Sequence, residues 1–353
     1  MMNDGINEGR EDHMLKVSIL DQSPVASGGT HSEALRQTLQ LAQAADAWGY
    51  TRYWTAEHHN TDRLASSSPE VLISTLAAKT NCIRVGSGGV LLPHYSAYKV
   101  AENFRMLEAL YPGRIDLGIG RAPGGTAYTV SALRDGKTNL FEGLDRFPGQ
   151  LDDLTRFLTD SIEPGHRYEG IKASPLIDSV PQMWLLGSSG PSAIYAAERG
   201  AAFCFAQFIN GAGGKQVVRS YKSAFQPSVL NAVPQAMVGI HALCADTDKE
   251  AERLASSIDL MLLKVEKGET GGVPSPEEAA AYAYSEWDRL RIRENRSRMV
   301  VGNPERVKAG LLALAADYDT DEVMVVTAAH DFAARLRSYE LLAQTFGLSS
   351  YRG

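Results

Sequence analysis

The feature that most constrains this chain is a repeated exchange between short apolar runs and longer segments carrying helical start and stop signals. The runs fall at Lys16–Leu20, Arg52–Ala56, Ile83–Leu92, Arg114–Ile119, Gln182–Leu186, Ala202–Ala206, Ala236–Cys244 and Glu322–Thr327. Several of them (SGGVLL, MWLLG, FCFA, VMVV) are apolar throughout rather than alternating, as strands buried on both faces of a parallel sheet must be. Between the runs, Thr30 and Glu33 spell a T-x-x-E capping box and Gly49 supplies the stop. Ser68-Pro69 and Asn303-Pro304 each set a capping side chain before a proline suited to the first helical turn. Eight strands, each followed by a helix, predict an α/β chain folded as a (β/α)8 TIM barrel with insertions after strands 4 and 7. An open, doubly wound sheet is the alternative architecture. The insertions are Thr126–Tyr168, with an extra helix around Gln150–Leu158, and Lys264–Val301, whose GETGGVPSPEE core predicts no regular strand and little buried apolar surface. Residues 1–14 read as a polar, disordered tail, 15–348 as one barrel domain, and 264–301 as a candidate lid.

Composition narrows the partners. The net charge of −7 disfavours nucleic acid and anionic membrane, which both attract basic surfaces. No apolar stretch approaches the roughly 20 residues of a membrane span, and the first residues lack a secretory apolar region, so the simplest placement is the cytoplasm. Cys82, Cys204 and Cys244 have no metal-site or disulfide spacing, and the latter two sit in apolar runs as buried, inert thiols.

The working residues of such a barrel come from the C-terminal strand ends and the loops after them. Those ends read Asp21-Gln22-Ser23-Pro24, Glu57-His58-His59-Asn60, Gly86-Ser87-Gly88-Gly89, Gly118-Ile119-Gly120-Arg121, Gly187-Ser188-Ser189-Gly190 and Phe205-Ala206-Gln207. Glycine and serine dominate and carboxylates are few, which favours an anionic ligand over acid–base carbohydrate chemistry. Gly187, Ser188, Ser189 and Ser192 precede a helix and read either as a phosphate cradle or as an ordinary serine N-cap. Pro191 rules out a nucleophile elbow there. Arg121 offers a guanidinium fork for phosphate or a salt bridge across the mouth, and Pro123 breaks the dinucleotide fingerprint that Gly118 and Gly120 begin. Adjacent side chains on a strand point oppositely, so only one of His58 and His59 faces the mouth, and the pair lacks the spacing for metal chelation. That histidine is a general acid/base or a structural neighbour of Trp54. Gly88-Gly89 marks a bulge, a close ligand approach or simple packing.

These segments, WTAEHHN (Trp54–Asn60), the long block Val85–Gly124 and LLGSSGPSAIYAAERG (Leu185–Gly200), resemble the bacterial luciferase-like flavin monooxygenase superfamily, in its non-luminescent branch. The resemblance spans Leu15 to about Leu348. It implies a barrel that binds reduced FMN at its C-terminal mouth, receives it from a separate flavin reductase, and oxidises a small organic substrate with O2 through a C4a-peroxyflavin. It further implies that Arg121, Ser188, Ser189 and Ser192 hold the phosphate, that His58 is the catalytic histidine, that Gly88–Gly89 forms a cis peptide beneath the flavin ring, and that the protein is a homodimer. Gly120 stands where luciferase carries a reactive cysteine, and Ser188 stands where it carries a glutamate. An F420-dependent hydride-transfer enzyme, a non-catalytic FMN-binding protein and a metal-dependent hydrolase are the competing readings.

Overall fold

The computed structural model describes residues 14–122, 124–136 and 140–349; the predicted tail up to His13, and Pro123, lie outside them. Among the described residues, the strands are β1 (Lys16–Asp21), β2 (Arg52–Thr55), β3 (Arg84–Ser87), β4 (Val90–Leu91), β5 (Ile115–Gly120), β6 (Gln182–Gly187), β7 (Ala202–Ala206), β8 (Ala236–Cys244), β9 (Met299–Gly302) and β10 (Glu322–Val326). The helices are α1 (His31–Trp48), α2 (Pro69–Lys79), α3 (Ala97–Leu110), α4 (Ala127–Leu133), α5 (Leu140–Leu158), α6 (Gly190–Arg199), α7 (Gly214–Ala224), α8 (Asp248–Glu266), α9 (Pro276–Ala281), α10 (Glu286–Arg296), α11 (Pro304–Tyr318) and α12 (Phe332–Phe346).

Closure decides between the two architectures. β10 pairs in parallel with β1 (Lys16↔Glu322) and also with β8 (Val323↔Val238), so the sheet closes on itself and the open-sheet alternative falls. The eight apolar runs are the eight staves of a (β/α)8 barrel. One stave differs from expectation. The run Ile83–Leu92 is two strands: β3 pairs with both β2 and β5, and β4 pairs with β5, with a cis Gly88–Gly89 peptide between them. The break is tight for any side chain, above all at Gly89, where the nearest backbone cannot give. A Cβ at Gly88 would lie 2.5 Å from Leu20 Cδ1, and one at Gly89 would lie 2.7 Å from the Gly118 carbonyl oxygen.

The caps follow the sequence in two places and depart from it in a third. Thr30 Oγ1 accepts the Glu33 N–H at 3.2 Å while the Glu33 carboxylate accepts the Thr30 N–H at 2.9 Å. Asn303 Oδ1 accepts the Arg306 N–H at 2.9 Å. Ser68 makes no side-chain cap; its carbonyl instead accepts the Val71 and Leu72 N–H groups.

The insertions are more regular than expected. Gln150–Leu158 is the second half of the longer α5. Segment 264–301 carries the end of α8, then α9, α10 and most of β9, which pairs with the C-terminal half of β8 from His241↔Met299 to Cys244↔Gly302. Two capping boxes, Ser275/Glu278 and Ser285/Asp288, start its helices despite the surrounding glycines and prolines. Its Val273 is fully buried in an apolar cluster that includes Leu254 and Ile258, and its N–H and C=O pair with Val25 and Ser27 at 2.7 Å each.

Inside the barrel the side chains are stacked by chemistry. Leu20, Trp54, Trp184, Cys204, Met237 and Met324 form an apolar layer beneath the mouth. Below it, Arg52 reaches Asp116 at 2.9 Å and Glu322 at 2.8 Å, while Arg84 reaches Asp116 at 2.6 Å. Buried charges are tolerable only when paired and hydrogen-bonded in this way. A hollow of about 650 Å³ opens at this N-terminal end, and its Arg52, Glu322, Lys16 and Lys222 are all engaged in ion pairs.

Candidate active site

The C-terminal mouth holds a cavity of about 370 Å³ between the apolar layer and the strand-end loops. His58, Gly88, Gly89, Arg121, Gly187, Ser188, Ser189 and Ser192 all line it. Residues spread over more than 130 positions of sequence therefore converge on one space, because parallel staves present all their C-terminal ends to the same side.

One end of the cavity is built for an anion. α6 begins at Gly190, with only Ser188 and Ser189 between it and the end of β6 at the mouth, so the backbone N–H groups of its first turn, other than Pro191, which has none, lack helical partners there. Ser189 occupies the N-cap without using its side chain to close it. The hydroxyls of Ser188, Ser189 and Ser192 have no hydrogen-bond partner among the described residues, and neither has the Arg121 guanidinium. Gly187 keeps the cradle open: a Cβ there would lie 2.7 Å from Ser192 Cβ. Orphan N–H groups, free hydroxyls and an unpaired guanidinium together suit a phosphate. The serine N-cap and mouth salt bridge that the sequence left open are not what these side chains do.

The other end is apolar, formed by Leu20, Trp54, Cys204, Phe208 and Met324. Burial pushes the Cys204 thiol far up, so it is neutral and inert. Trp54 donates its indole N–H to Asp116 at 2.9 Å and meets Trp184 edge-on at 5.5 Å, so its ring is fixed from below. Phe208 packs edge-on against the buried His241 at 5.5 Å.

His58 also lines the cavity. Burial lowers its pKa to about 4, against a partial upward pull from Glu57, so its imidazole is neutral near pH 7. Its Nδ1 is buried with no partner among the described residues. His59 turns away, with Nε2 2.8 Å from Glu57 Oε1. Glu57 is the residue whose role the sequence did not disclose. It lines the cavity, is 3% exposed, and accepts from Tyr95 OH at 2.6 Å and from the Leu91 N–H at 2.8 Å. Gln22 also lines the cavity without a side-chain partner among the described residues. Both stood in the strand-end motifs, but nothing local separated them from their neighbours.

The profile of luciferase-like monooxygenases matches residues 15–321. The chain belongs to the luciferase-like monooxygenase family. It is 55% identical over 335 residues to YwcH of Bacillus subtilis (strain 168), spanning 94% of this chain and 99% of that one. It is 38% identical to the N-acetyl-S-alkylcysteine monooxygenase of the same organism, over 94% of this chain and 98% of that one. Among solved structures, apo-MsnO8 superposes with a TM-score of 0.83 at 37% identity, covering 96% and 99% of the two chains. An FMN complex of the oxygenating constituent of 3,6-diketocamphane monooxygenase from Pseudomonas putida has the same fold, with a TM-score of 0.67 at 19% identity over 96% and 99% of the two chains. This luciferase-like monooxygenase is accordingly an oxidoreductase, and its C-terminal mouth is the face on which barrel enzymes work.

Proposed function

We propose that this family member is an FMN-dependent monooxygenase that receives FMN already reduced from a separate flavin reductase. Reduced FMN, when bound, supplies the two electrons with which O2 delivers one oxygen atom to a small organic substrate and releases the other as water. The observation that carries the reading is a cavity shared by the Arg121 guanidinium, three serine hydroxyls and the start of α6, none of those side chains having a partner among the described residues, with a largely apolar wall besides Gln22, Glu57 and His58. In this reading Arg121, Gly187, Ser188, Ser189 and Ser192 hold the phosphate, and Gly88 and Gly89 give the flat ring its close approach to the barrel wall. His58 is the catalytic residue, its imidazole neutral near pH 7 and able to accept a proton there. The apolar wall excludes water from the reacting end.

The reductase is a separate protein in this reading, because the chain's one glycine-rich stretch of the right kind is broken at Pro123. The homodimer is supported by the α2–α3 face, where Val71, Met106 and Leu110 stand exposed around a shared groove. Segment 264–301 remains the candidate lid. It bears on the cavity through the Val25–Ser27 loop beside Gln22, and Arg63 donates to the Gly271 carbonyl at 3.2 Å.

Titrating the purified protein with FMN, riboflavin and F420, followed by flavin fluorescence, tests the cofactor. FMN binding well above riboflavin is the expected result. Equal affinities would remove the phosphate cradle from the account, and preference for F420 would replace oxygenation by hydride transfer. An FMN complex that consumes no O2 beyond the free-flavin rate, whatever substrate is offered, would make it a carrier.

A further inference from the structure

We infer that the substrate is neutral and largely apolar, and that Gln22 orients its single polar group. The inference rests on the FMN reading above, because it asks what remains of the cavity once the phosphate end is taken.

Only two formally charged side chains line the cavity among the described residues, Glu57 and Arg121. Arg121 stands at the phosphate end. Glu57 is largely committed within the protein: it is 3% exposed, Oε1 takes His59 and Tyr95, and Oε2 takes the Leu91 N–H, which leaves one acceptor site on Oε2. An anion entering the remaining space would meet the Glu57 carboxylate, and a cation would lose its water for a carboxylate that already holds three donors, an exchange that proteins avoid. The polar groups still open are also uncharged. The Trp54 N–H is committed to Asp116, and the Cys204 thiol stays protonated. That leaves the Gln22 amide and the His58 imidazole, both lining the cavity from the ends of the adjacent strands β1 and β2, whose register runs to Asp21↔Thr55. An amide and a neutral imidazole suit a carbonyl, hydroxyl or similar dipole. Size sets a further limit, to a small substrate. The cavity of about 370 Å³ lies at the small end of the roughly 300–1,000 Å³ of ligand sites, and the flavin ring must share it.

The test uses FMN-loaded protein and three seven-carbon probes of equal length: 2-heptanone, heptanoate and heptylamine. Binding is read from the perturbed FMN absorbance and from the shift in melting temperature. The ketone should bind, and both ions should bind at least about tenfold more weakly. Gln22→Leu should weaken the ketone by about tenfold and leave FMN affinity unchanged, with Gln22→Asn intermediate. Heptanoate or heptylamine binding as tightly as the ketone overturns the inference, and so does a ketone that fails to bind up to its solubility. A Gln22→Leu protein that binds the ketone as before removes Gln22 from it. Failure of the unaltered protein to take up FMN is a different result: it sinks the cofactor reading, and this inference with it.

Discussion

Glu57 Oε2 accepts the Leu91 backbone N–H at 2.8 Å, tying the end of β2 to the second half of the broken third stave. Through its other oxygen the same carboxylate holds His59 and Tyr95. The segment carrying His58 and the segment carrying Gly89 are thus fastened to one buried group. Glu57→Ala should leave three polar groups without a partner, each costing about 1–3 kcal/mol when buried. Denaturant unfolding should show a loss of several kcal/mol, and Glu57→Gln, which keeps one acceptor, about half of it. A loss under about 1 kcal/mol for the alanine variant would mean that water replaces the carboxylate there.

Removing the Arg121 guanidinium should separate two flavins if the proposed cradle holds a phosphate. A charge-assisted hydrogen bond contributes roughly 1.5–3 kcal/mol, so Arg121→Ala should weaken FMN by roughly tenfold to a hundredfold. Riboflavin, which lacks the phosphate, should bind as before. Equal losses for the two would show that Arg121 shapes the mouth instead.

Acid should act on two histidines. Burial lowers the pKa of both His58 and His241 to about 4, below the ordinary 6.5. The unfolded chain therefore takes up protons first as the pH falls. Stability is unaffected by these groups above pH 6.5, declines from there towards pH 4, and levels off below. Each contributes up to roughly 3 kcal/mol of loss across that window. Urea midpoints should fall between pH 6.5 and pH 5, before most carboxylates titrate. His58→Gln should flatten the slope in that interval; an unchanged slope would show that His58 is protonated without penalty.

The lid assignment turns on Val273. Its backbone pairs with Val25 and Ser27, and its side chain is fully buried. Val273→Asp should release segment 268–276 to protease while shifting the melting temperature by only a few degrees. If segment 264–301 covers the cavity, FMN and a bound ligand should slow cleavage of the unaltered protein. Cleavage at one rate with and without them would make the segment a plain insertion.

Much of this was legible in the sequence, for a physical reason. Staves such as MWLLG and FCFA are buried on both faces, so their apolar character is continuous and locally visible. β9 was not, because Met299–Gly302 is short and half-buried at its start, following an arginine-rich helix. It is a strand only because β8 runs on past the barrel to receive it. In the same way, His58 stood out by its residue type, whereas the role of Glu57 depends on partners 34 and 38 positions away. Whether Arg121 would be paired or free was likewise undecidable locally, since that depends on what the other seven staves bring to the mouth.

Asp116 accepts from Arg52, Arg84 and the Trp54 indole, while Trp54 itself forms part of the cavity wall. The orientation of a ring that meets the ligand is therefore dictated from the opposite end of the barrel. For anyone recombining loops among relatives, the rim can be exchanged piece by piece, but Arg52, Trp54 and Asp116 must come from one parent. A chimaera that splits them would keep every residue of its mouth and still present a differently tilted wall.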